Sequence, residues 1–160
     1  MIFLTVGSQK FPFDRLIQGV DELKRNHIIE DEIFAQIGCA NYIPKHLQYD
    51  RYLSREDFSK KMEECNLLIT HAGVGTIMKA LLQQKKIIAI PRLAIFGEHV
   101  NNHQLMIVRA LSDRNHIFYV ENLENLAQVM EKSAHETLKP YTKQSDELLS
   151  FLEQYIDEKC

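Results

Sequence analysis

The sequence predicts an α/β fold, a doubly wound parallel sheet in a single domain over residues 1–160. Three observations predict it. Six apolar runs of strand length recur along the chain, segments with helical spacing lie between them, and the connecting loops are short. Two of the runs, at 67–70 and 87–90, are almost wholly apolar, as strands buried on both faces are. No internal repeat, low-complexity tract or Pro/Gly/Ser-rich linker divides the chain.

The first strand is expected over 2–6. Phe13, Leu16, Ile17, Val20 and Leu23 then repeat at helical spacing, with Pro12 where a helix can begin. Strands follow over 32–37 and 47–52. Ser54, with Asp57 three residues on, reads as a capping box opening a helix through Phe58, Met62 and Cys65. The strand at 67–70 leads to a short helix through Ile77 and Leu81, which ends before the strand at 87–90. Leu105, Ile107, Val108 and Leu111 mark another helix, 116–120 the sixth strand, and Leu123, Leu126, Val129 and Met130 a helix after it. A last amphipathic helix is expected within 142–160, through Leu148, Leu152, Tyr155 and Ile156.

Bulk composition narrows the function. With 19 basic and 22 acidic residues the formal charge is −3, against a partner made of nucleic acid, whose phosphates call for a basic surplus. Cys39, Cys65 and Cys160 are odd in number and far apart, which indicates neither a disulfide framework nor a zinc site and fits a reducing, cytoplasmic setting. The chain opens on a strand, with no secretory signal pattern, and no apolar run approaches the length of a spanning helix.

Three stretches carry chemistry, each after an expected strand. Gly7, Ser8 and Gln9 form a glycine turn with a polar pair at the end of the first. At His71-Ala-Gly73-Val-Gly75-Thr76, two glycines remove Cβ atoms from the approach to a helix start, whose free N–H groups and positive dipole end suit an anion. The segment lacks both the Walker A spacing and a full G-x-G-x-x-G fingerprint. The third stretch, 90–104, packs Arg92, Glu98, His99, Asn101, Asn102, His103 and Gln104 just after a core strand; amides and imidazoles both donate and accept, as a hydroxyl-rich ligand requires. In an open α/β sheet these loops share the rim at the carboxyl ends of the strands, where ligands gather. A phosphate cradle beside a polyol-binding loop describes a nucleotide sugar.

On TVGSQKFPFDRL (5–16), ITHAGVGTI (69–77) and PRLAIFGEHVNNHQ (91–104), the chain resembles the Rossmann-like, C-terminal donor-binding half of GT-B glycosyltransferases of family 28. Within that family it resembles the catalytic subunit of the two-component dolichol-linked UDP-GlcNAc transferase, and bacterial capsule and exopolysaccharide subunits of the PssE/EpsF type. The resemblance implies an inverting hexosyltransferase that moves a sugar from a UDP-sugar, galactose or glucuronate favoured, to a polyprenyl-diphosphate-linked saccharide. It implies that Gly7, Ser8 and Gln9, with His71, Gly73, Gly75 and Thr76, face the donor diphosphate. Asn102, His103 and Gln104 would touch the donor sugar, and the backbone around Tyr52 and Leu53 would read the uracil. Relatives carry a glutamate for ribose where this chain has Lys79, so ribose is held differently or Lys79 meets phosphate. Glu98 and His99 are the candidate general bases, unless another domain supplies one. No D-x-D-like motif is present, so no metal cofactor is expected.

The resemblance also implies that a membrane-associated subunit supplies the acceptor half and recruits this chain to the cytoplasmic face of the membrane. The apolar face within 142–160 would either dock that partner or close the chain's own core. A noncatalytic, nucleotide-binding or stabilising partner of a transferase stays open as the alternative.

Overall fold

The computed structural model describes residues 1–99 and 103–142, with the backbone alone for His103 and Gln104. Among the described residues six parallel strands form one sheet: β1 (Ile2–Thr5), β2 (Ile33–Gln36), β3 (Gln48–Asp50), β4 (Leu67–His71), β5 (Lys86–Ile90) and β6 (Phe118–Tyr119). Their spatial order is β3-β2-β1-β4-β5-β6. The chain therefore runs outward from β1 in one direction and, after β3, returns to β4 and runs outward in the other. The reversal leaves a crevice between the carboxyl ends of β1 and β4, where sheets of this order bind ligands.

Among the described residues five α-helices cover both faces: α1 (Asp14–Arg25), α2 (Arg55–Glu64), α3 (Val74–Leu82), α4 (His103–Asp113) and α5 (Leu126–His135). Side chains alternate across a strand, so β1 sends Ile2 and Leu4 to one face and Phe3 to the other. On the first face they pack with Leu16, Ile17 and Val20 of α1 and Leu126 of α5. On the second, Phe3 packs with Met62 of α2, Ile77, Ala80 and Leu81 of α3, and Ile107, Val108 and Leu111 of α4. This three-layer arrangement is the doubly wound sheet that the alternating pattern predicts.

All six expected strands are present, two of them shorter than their apolar runs. β3 keeps three residues of the run 47–52, all exposed, because it is an edge strand with a single neighbour. β6 keeps two residues at the opposite edge. The capping box is also present: the Asp57 amide donates to Ser54 Oγ at 3.0 Å, and that hydroxyl donates to Asp57 Oδ2 at 2.6 Å. α1 begins at Asp14 with Phe13 as its N-cap, so Pro12 stands just outside the helix rather than in its first turn. The helix expected within 142–160 lies outside the described residues apart from Thr142.

Strand register aligns the carboxyl ends. Thr5 pairs with Gln36 and with Thr70, and His71 with Ile90. The segments after β1, β4 and β5 consequently open on one rim.

Candidate functional site

The centre of the rim is an imidazole. His71, the last residue of β4, is 6% exposed and lies beneath both glycine turns. A Cβ on Gly7 would sit 2.6 Å from His71 Cε1 and 2.7 Å from Nε2. A Cβ on Gly73 would fall inside van der Waals contact of Nε2 and 2.9 Å from Cε1. The two backbones close over the ring only because neither residue has a side chain. Gly7 also adopts φ +75°, which glycine takes without steric cost.

The ring is neutral. Burial foremost, and then the positive charge of Arg92, push its pKa down to about 4. Nδ1 lies 3.4 Å from the Thr5 carbonyl and 3.3 Å from Thr70 Oγ1, while the Thr70 hydroxyl donates to that same carbonyl at 3.1 Å. A carbonyl only accepts, so Nδ1 carries the proton and Nε2 presents a lone pair toward the glycines.

Gly73 is also the N-cap of α3, and no side chain caps the helix there. Helix geometry leaves the amides of Val74, Gly75 and Thr76 without intrahelical acceptors, directed out of the helix start. Gly75 is exposed, and a Cβ built on it would meet nothing within 4 Å. Packing thus explains the glycine at 73 and leaves the one at 75 bordering open space. Thr76 follows, half-buried.

The first turn is braced from below. The Gly7 amide donates to Thr5 Oγ1 at 3.2 Å, and Gln36 Nε2 lies 3.4 Å from the same hydroxyl. Ser8 and Gln9 are exposed beyond it, with the Gln9 carbonyl accepting from the Cys39 thiol at 3.0 Å. Gly38, at φ +55°, lies so close that its Cβ would stand 2.9 Å from the Gly7 carbonyl oxygen. Gly38 and Cys39 are rim residues that the sequence reading did not single out. Their only signal was a glycine directly after a strand run.

The segment after β5 carries the largest difference from the sequence reading. Glu98 is 4% exposed, and Arg15 grips its carboxylate with both ends of its fork, Nε to Oε1 at 2.8 Å and Nη2 to Oε2 at 2.9 Å. Oε2 also accepts the Leu93 amide at 3.0 Å. Of the two base candidates, Glu98 is therefore committed to the loop's own structure. His99 is half-buried, with its ring 5.9 Å from that of Phe11. Arg92, counted from sequence only among the loop's polar residues, is fully buried against the Phe13 ring at 5.0 Å.

Two other expected contacts meet different partners. The Leu53 amide, placed by the resemblance near the uracil, donates to Gln36 Oε1 at 3.2 Å. Lys79 points away from the rim: its ammonium donates to Ser59 Oγ of α2 at 2.7 Å and lies 5.2 Å from the Phe58 ring centroid. It is a tether between α3 and α2. The backbones of His103 and Gln104 open α4 after the third loop, and Asn102 lies outside the described residues.

The chain matches the model of the glycosyltransferase family 28 C-terminal domain over residues 1–158. It is 28% identical over 127 residues to the human UDP-N-acetylglucosamine transferase subunit ALG13, covering 74% of this chain and 11% of that protein. The chain spans about a tenth of the length of the first curated relatives it matches. An NMR solution structure of ALG13 superposes with a TM-score of 0.64 at 19% identity, covering 95% of this chain and 94% of that one. The MurG crystal structure from Acinetobacter baumannii shares the fold at a TM-score of 0.54 and 21% identity, over 83% of this chain and 41% of that one. By the family match, which takes in all three glycine- and amide-bearing loops, the chain belongs to the glycosyltransferase family 28 C-terminal domain family.

Proposed function

We propose that this chain is the donor-binding half of an inverting glycosyltransferase that transfers a hexose from a UDP-sugar to a lipid-linked saccharide. The observation that carries the reading is the closure of Gly7 and Gly73 over the neutral His71 ring at the switch point, beside a helix start whose Gly75 borders open space. Family membership supports the same reading.

In this reading the diphosphate lies across the amides of α3's first turn and the Ser8–Gln9 segment. Negative charge grows on it as the bond to the anomeric carbon breaks, and the fixed amides and the helix dipole stabilise that charge. A neutral His71 adds no cation of its own; Nε2 accepts, so it orients a donor group rather than neutralising phosphate. His103, Gln104 and Asn102 are assigned to the sugar, and the uracil to the carbonyl side of Leu53, whose amide is engaged. His99 is a better base candidate than Glu98, because the Glu98 carboxylate is tied to Arg15.

The acceptor half of the cleft is assigned to a membrane-associated partner subunit, which brings the chain to the cytoplasmic membrane face. The residues within 142–160 are its proposed docking segment. Support comes from the likeness to a protein named as a transferase subunit. Among the described residues no helix is long and apolar enough to cross a membrane. The setting in capsule or exopolysaccharide synthesis, and the preference for galactose or glucuronate, rest on the motif resemblance; the name of the human relative adds N-acetylglucosamine as a third donor to test.

Calorimetric titration with UDP is the first test, with micromolar to millimolar binding expected, weakened in Gly75→Asp. The second is sugar transfer by membranes holding the partner, with and without this chain, for UDP-galactose, UDP-glucuronate and UDP-N-acetylglucosamine. Transfer unaffected by Gly75→Asp and by Gln104→Ala would remove the site assignment. UDP binding with transfer that does not depend on this chain would favour a noncatalytic partner.

A further inference from the structure

Two guanidinium groups fix the third loop of the rim, Arg92 to the first loop and Arg15 to the start of α1. The Arg92 fork donates to the carbonyls of Val6, Phe11 (2.6 Å) and Pro12 (3.3 Å) in the first loop, and to that of Glu98 (3.3 Å) in the third. Arg15, in the first turn of α1, donates to the Pro91 carbonyl at 3.3 Å and holds the Glu98 carboxylate. Glu98 is thus the common point: its carbonyl meets Arg92, and its side chain meets Arg15 and the Leu93 amide. Residues 6–12 and 91–93 contain no helix and no strand of their own. These contacts tie the two segments to each other.

We propose that Arg92 and Arg15 are positioning residues for the donor diphosphate, Arg92 locking the loop at 6–12 to that at 91–98 and Arg15 fixing the latter to the start of α1 through Glu98. The proposal rests on the donor-site reading above. Arg92 is 0% exposed and acts through the loops rather than on the ligand. Ordering a free loop residue costs backbone entropy, which a ligand meeting a loose loop would have to offset on binding. Carbonyls drawn onto one planar fork remove that cost beforehand. Lysine cannot substitute, because three donors on a single nitrogen do not span four carbonyls in two loops.

The test compares the 160-residue chain with Arg92→Lys, which keeps the charge, and Arg15→Met, at a side chain only 23% exposed but not in the core. UDP affinity is read by calorimetry, and amide exchange of residues 7–11 by NMR with and without saturating UDP. UDP binding weakened about tenfold in Arg15→Met, and more in Arg92→Lys, is expected in protein that keeps its far-UV spectrum. Faster exchange confined to 7–11 in the free variants, with the amides of β4 and β5 unchanged and the loop slowed again by UDP, is the signature of positioning; a purely stabilising role would speed the core amides as well. Wild-type protein that binds UDP beside folded variants that bind it within about twofold, or whose loop exchange is unchanged, overturns the proposal alone. Should Arg92→Lys fail to fold, Arg15→Met decides by the same readings. Wild-type protein that takes up no UDP overturns the donor reading and this proposal together.

Discussion

Replacing Gly73 by alanine sets a methyl group against the buried His71 imidazole. The backbone there, at φ −73° and ψ 117°, suits alanine, so the substitution isolates the clash from any backbone strain. The new Cβ would lie inside contact distance of Nε2, 2.9 Å from Cε1 and 3.1 Å from Cδ2, and the ring is held from behind by Thr5 and Thr70. Forcing a methyl into a packed site costs about 1–3 kcal/mol, and alanine recovers about 0.4–1 kcal/mol through the unfolded chain. The net loss is centred on about 1 kcal/mol and reaches at most about 2.6 kcal/mol, or roughly 10 °C in melting temperature for a domain of this size. Urea unfolding measures it, and a double-mutant cycle with His71→Ala tests its origin. In that background the methyl has no ring to meet, so the substitution turns stabilising by about 0.4–1 kcal/mol and the coupling energy equals the full clash of about 1–3 kcal/mol. Gly73→Ala as stable as wild type, or equally costly without the ring, would refute the packing account of the site.

The neighbouring glycine behaves oppositely: with nothing within 4 Å of its Cβ direction, Gly75→Ala stabilises the chain by about 0.5–1 kcal/mol in urea while weakening UDP binding, and unchanged affinity would place the ligand elsewhere. For His71 the unfolded chain takes a proton near 6.5 and the folded protein only near 4, so stability is flat above about pH 7 and falls by about 3 kcal/mol as pH drops through that window. His71→Asn removes that component, and an identical pH profile for the two proteins would contradict a neutral buried ring. Ser54→Ala deletes the α2 cap and costs about 1 kcal/mol in thermal or urea unfolding, with UDP affinity retained. Lys79→Met loses the tether to Ser59, costs under about 1 kcal/mol and leaves UDP affinity within about twofold; a large loss of affinity would return Lys79 to the rim.

Much of the fold is legible in one dimension because its signals are local. Leu67–His71 and Lys86–Ile90 are central strands, and continuous apolar runs report burial on both faces directly. Ser54 and Asp57 declare a helix start within four residues. β3 and β6 lose length because edge pairing, not composition, decides where a strand stops. At the site, the glycine pattern and the residue following each strand were readable, since a βα junction is itself local. The roles of Lys79, Glu98 and the Leu53 amide were not: each meets a partner at least 17 residues away in sequence, with Lys79 bonded to Ser59, Leu53 to Gln36 and Glu98 to Arg15.

The sequence by itself determined the alternation of strands and helices and the three loops at their junctions, because periodicity, glycine placement and capping act over a few residues. Only the tertiary structure decided that one neutral imidazole underlies both glycine turns, and that Arg92 and Arg15 bind the loop at 91–98 to the first loop and to α1, more than 75 residues away along the chain. Those contacts exist because parallel pairing brings the carboxyl ends of β1, β4 and β5 side by side. A buried ring or guanidinium then takes whatever acceptors the rim presents, whatever their distance along the chain.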